Sequence, residues 1–285
     1  MMVKKRLSIV LLAVLTVPQG IVLGQGKPHP EKKVYAEVAN WPATAPGEVS
    51  LKHFGPFRAV YDRSYTQGAG PKAGEKRQDR VIVHADEVGW EGRRAAAITM
   101  IDTAAAKYAD TNMRTLTMVT DLENLQVLFE SGPLPGTSKD YYIGLFSGDE
   151  GILNIIKTET QEHTPQRMPA KQPGFGAGSW VMASMDLKPG MLINLAPYYS
   201  MQGNSLSRSH YGRVIERTTF ESGSGGSHEA WIVETSAWYG LDKPKVLRLY
   251  LQDAPPYYLG TEIFNYDTGE GKRFVWLRDF QSMDR

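Results

Sequence analysis

The chain has 285 residues, 41% of them apolar and 10% aromatic, with 28 Gly, 17 Pro and no Cys. That composition excludes disordered and collagen-like chains and supplies a core for one large domain or two small ones. A formal charge of +1, from 32 basic and 31 acidic residues mixed along the sequence, leaves no basic stripe of the kind a nucleic-acid binder presents.

Lys4, Lys5 and Arg6 precede an apolar run from Leu7 to Val17, which is followed by Pro18, Gly20 and Val22-Leu23-Gly24. A positive n-region, a short h-region and a small residue at a cleavage point are the parts of a secretory signal. The run is broken at Pro18-Gln19-Gly20, short of the roughly 20 apolar residues a membrane span needs. The expectation is a signal peptide over 1–24 cleaved near Gly24, a periplasmic or secreted mature protein, and no integral membrane domain after cleavage. Cleavage removes three of the 32 basic residues, leaving 29 against 31 acidic ones and a formal charge of −2. Export places the chain where disulfides form, and with no Cys its stability has to come from a large core. The lack of Cys also rules out thiolate metal sites, a lipid-modified cysteine and a cysteine nucleophile.

Residues 25–50 carry Pro28, Pro30, Pro42 and Pro46 among charges and Gly, and read as an extended leader or linker. Residues 51–285 read as a single large antiparallel β domain. Short segments rich in Val, Ile, Tyr, Thr and Trp recur between Gly, Pro, Asp and Asn clusters, an all-β signature. Strands are predicted at 58–65, 80–85, 95–101, 113–120, 125–130, 141–146, 152–157, 179–185, 191–200, 213–221, 229–235, 245–251, 258–265 and 274–279. Residues 95–108 also carry a helical stripe, Ala95, Ile98, Ile101, Ala105 and Tyr108, and the reading leans to strand with room for one short helix.

Near the C-terminus, Val246, Leu247, Leu249 and Leu251 surround Arg248, and Phe274, Trp276 and Phe280 surround Arg278. Such alternation predicts a sheet with one buried and one wetter face. The run Ser222 to Ser227 and the run Asp267 to Gly271 supply hairpin turns. A large twisted antiparallel sheet has to curl or acquire a second layer to bury its apolar face and manage its edges. The fold class is therefore all-β, mainly antiparallel, as a curled sheet or unclosed half-barrel.

Tests for chemistry return little. Gly223–Gly226 lacks the Lys of a phosphate cradle, and Ser222 stands where a nucleophile elbow needs Gly. His29, His53, His84, His163, His210 and His228 include no two spaced by four residues, which excludes the helical two-histidine zinc motif. No pattern calls for a metal or a cofactor. No catalytic residue is nominated, although Asp149, Glu150, Asp253 and Glu262 are unranked acids for a glycoside-cleaving pair. The notable inventory is aromatic: Trp180, Tyr198, Trp231, Trp238, Tyr250, Tyr257, Tyr258 and Trp276, with Met182, Met185, Met191 and Met201 nearby. Large aromatics and adaptable Met side chains suit a concave site for a lipid-like ligand, and they equally suit a core.

The segments Ser184-Met185-Asp186-Leu187-Lys188-Pro189-Gly190, Ala230-Trp231-Ile232-Val233-Glu234 after Gly225-Gly226, Pro255-Pro256-Tyr257-Tyr258-Leu259-Gly260 and Thr268-Gly269-Glu270 resemble uncharacterised exported bacterial β proteins. Those are similar in strand order to the carriers that ferry lipoproteins across the periplasm. The resemblance, over about Phe57 to Phe280, implies an open β-barrel, an apolar ligand and no catalysis. The carriers cover their cavity with helices, a part only residues 95–108 could play here.

Three functions follow as expectations. The first is a non-enzymatic binding or carrier protein holding a hydrophobic small molecule or acyl chain on the concave aromatic face. The second is an exported hydrolase of envelope polysaccharide. The third is a structural partner of an envelope protein through strand addition, whose mark is a long sheet edge without Pro or Lys.

Overall fold

A computed structural model describes residues 54–66, 74–103, 114–133, 141–147, 150–157, 160–169, 178–198, 208–235 and 245–283. The expected signal peptide and leader, together with Trp238, Asp149, Ala105 and Tyr108, lie outside the described residues. Among the described residues, fourteen strands form one antiparallel sheet. They are β1 (Phe57–Thr66), β2 (Lys76–Trp90), β3 (Arg93–Asp102), β4 (Arg114–Asp121), β5 (Val127–Pro133), β6 (Tyr141–Ser147), β7 (Glu150–Lys157) and β8 (Glu162–Pro169). After the helix α1 (Gly178–Ala183) come β9 (Leu192–Tyr198), β10 (Arg208–Glu221), β11 (Ser227–Thr235), β12 (Lys245–Leu251), β13 (Tyr258–Asn265) and β14 (Glu270–Ser282).

The sheet order runs from β8 down to β1, then β14 down to β9. Two meandering arms therefore meet at a central seam between β1 and β14, where Phe57 lies opposite Ser282. Among the described residues β8 and β9 are the edges and do not pair with each other, so the sheet is curled but unclosed, as expected. Residues 95–102 are strand, the side to which the reading leaned.

Three expectations change. Residues 179–185 were expected as a strand, but Gly178–Ala183 is a six-residue helix. Trp180, Val181, Met182 and Ala183 are all buried, and an apolar run with no polar position carries no period to separate helix from strand. The Trp180 ring lies 5.8 Å from Phe57 and 5.4 Å from Tyr257, so the helix plugs one end of the curl. Secondly, β8 was not predicted, because Pro165 and Pro169 punctuate it. Proline is tolerated at an edge strand, where one side has no ladder to break. The other edge, β9, contains Pro197. Both edges thus carry the residue that blocks further pairing, and the mark of strand addition is missing.

The inward face of the first arm is an apolar lattice. Phe57, Ala59 and Tyr61 on β1 face Ala85, Val83 and Val81 on β2, and Ile98, Met100, Leu116 and Met118 extend it through β3 and β4. The Tyr61 hydroxyl reaches across to donate to the Tyr258 carbonyl at 2.7 Å. On the same inward row Arg63 is fully buried, donating to Asp79 at 2.6 Å and Asp102 at 2.7 Å. Desolvation offsets most of the attraction in such a cluster, so its physical effect lies in register: a slip of β1, β2 or β3 would strand a buried charge.

The third change concerns the second arm, where part of the expected wetter face, including Arg248, is covered while Arg273 and Arg278 stay exposed. Arg213, Glu234, Arg248, Glu262 and Arg273 are successive register partners across β10 to β14, an ionic row of alternating sign. Glu234, at 0% exposure, accepts from Arg248 Nε at 2.9 Å, Arg213 Nη2 at 3.4 Å and the Tyr266 hydroxyl at 2.5 Å. The Arg248 guanidinium stacks 3.3 Å from the Phe264 ring centre. Beyond the row, on the same face, Phe220 stacks on Trp276 at 4.3 Å and meets Tyr250 at 5.4 Å, although three strands separate β10 from β14 in the sheet. The contact exists because the β10–β11 hairpin curls back on its own arm. Gly223 and Ser224 donate to the Leu277 and Arg278 carbonyls at 2.9 and 2.8 Å, and Trp276 Nε1 donates to the Glu221 carbonyl at 2.8 Å.

Candidate functional site

Strand β6 reads Tyr141-Tyr142-Ile143-Gly144-Leu145-Phe146-Ser147, and its period of two sends alternate residues to opposite faces. Gly144 and Phe146 point inward and are buried. Tyr141, Ile143 and Leu145 point outward and are 44%, 36% and 51% exposed. On β7, Ile152 lies opposite Leu145 and is 49% exposed, while Asn154 faces Ile143 and half-buried Ile156 faces Tyr141. Phe146 holds this orientation by lying flat on Gly151, where a Cβ would run into the ring. Slipping β6 by one residue would turn the Phe146 ring into solvent and force Leu145 onto that glycine.

The exposed side chains end a longer row. Leu145 faces Phe129 on β5, Phe129 faces Val119 on β4, and Val119 faces Ala97 on β3. Trp90 covers Phe129 from β2, with ring centres 5.9 Å apart. The row is closed over β3–β5 and bare over β6–β7. Its bare end is made of Tyr141, Ile143, Leu145 and Ile152, and the chemistry those side chains offer is association by apolar area. Full burial of a Leu or Ile is worth about 1.5–3 kcal/mol, and roughly half of that remains to be gained at each of these positions.

The aromatic residues nominated from sequence do not form one site. Trp180 and Tyr257 pack together with Phe57 around the helix plug. Tyr258 packs on Tyr61 at 5.5 Å, and its hydroxyl lies 2.6 Å from Thr261. Tyr250 and Trp276, 5.2 Å apart, lie under the curled hairpin. Trp231 is half-buried with the Arg217 guanidinium 5.2 Å from its ring. Tyr198 sits on β9 opposite Arg208, and Trp238 lies outside the described residues. Among the described side chains, the rings of Trp180, Tyr257, Tyr258, Tyr250 and Trp276 pack against other rings in these separate contacts. Burial pushes the Tyr61 hydroxyl well above its ordinary pKa, and burial together with the Glu262 charge raises that of Tyr250 as well.

Sequence reasoning missed Tyr141, Ile143, Leu145 and Ile152, because β6 is apolar at both parities and nothing marks which set faces out. The available signal was glycine: Gly144 and Gly151 sit on the crowded inward side.

Of the four acids considered for hydrolysis, Glu262 and Asp253 have described side chains. Glu262 lies in the ionic row, 3.9 Å from Arg248, and Asp253 is exposed in the loop between β12 and β13. Glu150 opens β7, and Asp149 lies outside the described residues. Among the described residues no three His, Asp or Glu side chains converge as metal ligands would. Among the same residues no helix is long and apolar enough to cross a membrane.

No family model and no curated protein matches this chain. Among solved structures it is similar to a beta-barrel-like protein of the domain of unknown function DUF1849 from Brucella abortus. The identity is 10% and the TM-score 0.42, over 81% of this chain and 99% of that one. At that level the likeness adds nothing to the architecture read directly from the strands.

Proposed function

We propose that the protein is an exported, non-enzymatic binding or carrier protein for a hydrophobic molecule with an acyl chain. Its seat is the bare apolar face of β6 and β7, and the packed aromatics serve as core. One observation carries this reading: four large apolar side chains, 36–51% exposed, lie side by side on two paired strands. A contiguous apolar patch of that kind on a folded chain marks an interaction surface. Export rests on the charged, apolar and small-residue succession of residues 4–24. The outward-facing patch sits beside the proline-bearing edge β8, where a ligand can be loaded and released without opening the core.

The test is native mass spectrometry of the mature protein purified gently from its own envelope fraction. The expected result is a co-purifying mass in the fatty-acid or phospholipid range that disappears in the double variant Leu145→Lys, Ile152→Lys. Retention of the mass by the variant would move the seat elsewhere. A clean apo mass for the unaltered protein would count against a carrier and favour an apolar protein partner.

A further inference from the structure

The β10–β11 hairpin outruns the strands beside it. β11 keeps register with β12 only from Trp231 to Thr235, and β10 with β9 only from Arg208 to Arg213. Residues 217–230 are therefore paired only with each other within the sheet, as a two-stranded ribbon. A two-stranded ribbon is marginal by itself in water, so what holds its root and its tip decides where it lies.

At the root the register shifts between Val214 and Arg217, which leaves Ile215 and Glu216 opposite Ile232 alone. Such a bulge bends a strand and raises its twist, and here it falls where the ribbon leaves the sheet. At the tip the fastening is small. The β13–β14 register ends at Gly260 opposite Trp276, and the tip takes the vacated place on β14 through the Gly223 and Ser224 amides, with the Trp276 indole bonded back to Glu221. A Cβ on Gly223 would stand 3.2 Å from the Arg278 Cα, so a bulky side chain there pushes the tip off the β14 backbone. On the covered side Phe220, Ala230 and Ile232 are buried, facing Tyr250 and Trp276.

We propose that the β10–β11 ribbon is a hinged strap. It turns at the bulge of Ile215 and Glu216, releases at Gly223 and Ser224, and uncovers Phe220, Tyr250 and Trp276 while the rest of the sheet stays folded. A segment fastened by few bonds outside any ladder opens at lower free energy than the ladders it leaves.

Hydrogen exchange read by mass spectrometry on the full chain tests this. Amides of 217–230 are expected to exchange at least about tenfold faster than those of the β1–β2 ladder, and Gly223→Val to speed only the ribbon. A second measurement stands if that variant fails to fold, since the chain has no cysteine. A thiol placed by Ala230→Cys, on the covered side of the strap itself, is expected to react with a soluble maleimide faster than one placed by Ala59→Cys in the main core. Equal protection of ribbon and β1–β2, or equal reaction of the two thiols, would overturn the strap and make the ribbon part of one cooperative unit.

Discussion

The two arms of the sheet use the same local code and come to different ends. Strands β6 and β7, in the first arm, and β10 to β12, in the second, carry apolar residues at both parities, so in each case one apolar set lies on the face away from the central core. In the second arm that set, Phe220, Ile232 and Tyr250, is covered. In the first, Ile143, Leu145 and Ile152 are bare. The difference is one of length and flaw. β10 has 14 residues and a bulge at its bend, enough to reach back to β14. β6 and β7 have 7 and 8 residues in a ladder without a register shift, and a short regular hairpin has no means to fold over its own face. Apolar alternation thus says that a face needs covering; strand length and bulges decide whether the chain covers it.

Breaking the covered arm should be costly. Glu234→Ala leaves Arg213 and Arg248 without their shared carboxylate in a buried row, and is expected to cost about 3–5 kcal/mol in urea unfolding. The loss should exceed that of Glu123→Ala, an exposed acid. Phe220→Ala empties the centre of the ring cluster, for about 3 kcal/mol, with a matching change in the near-ultraviolet dichroism of Trp276. The alkaline limb sharpens the same contrast. Tyr61 and Tyr250 have folded-state pKa values above the unfolded value, so the native state keeps protons that the unfolded chain has lost. Stability is then full below about pH 10 and falls as pH rises past it. A titration at 295 nm should show these phenols ionising only as the protein unfolds. The smallest effect belongs to the bare arm: Leu145→Ala should change stability by less than about 0.5 kcal/mol, measured under the same urea conditions.

Much of the fold was legible. Period-two segments and the Ser222–Ser227 and Asp267–Gly271 turns locate most strands, because each is a local signal. What escaped depended on partners distant in sequence. Pro165 and Pro169 disguised β8, since only its place at an edge makes them harmless. The Trp180 helix was hidden because its stretch from Trp180 to Ala183 is apolar at every position. Arg248 looked like the wet side of a strand, because the row that neutralises it is assembled from five strands. The aromatic inventory suits a concave site and a core alike, and the members with described side chains are distributed among separate contacts by register, which no spacing in the sequence encodes.

The seam between β1 and β14 has a consequence in time. Its two strands stand at opposite ends of the described chain, with Phe57 opposite Ser282. A chain emerging from its N-terminus therefore builds the first arm with β1 as an open edge, and that edge waits until β14, more than 200 residues later, has appeared. Non-local pairing of this kind is slow, and an unpaired edge in the interval is where chains associate wrongly. The exposed arm and the late seam together make the nascent chain, rather than the finished protein, the form most in need of a chaperone.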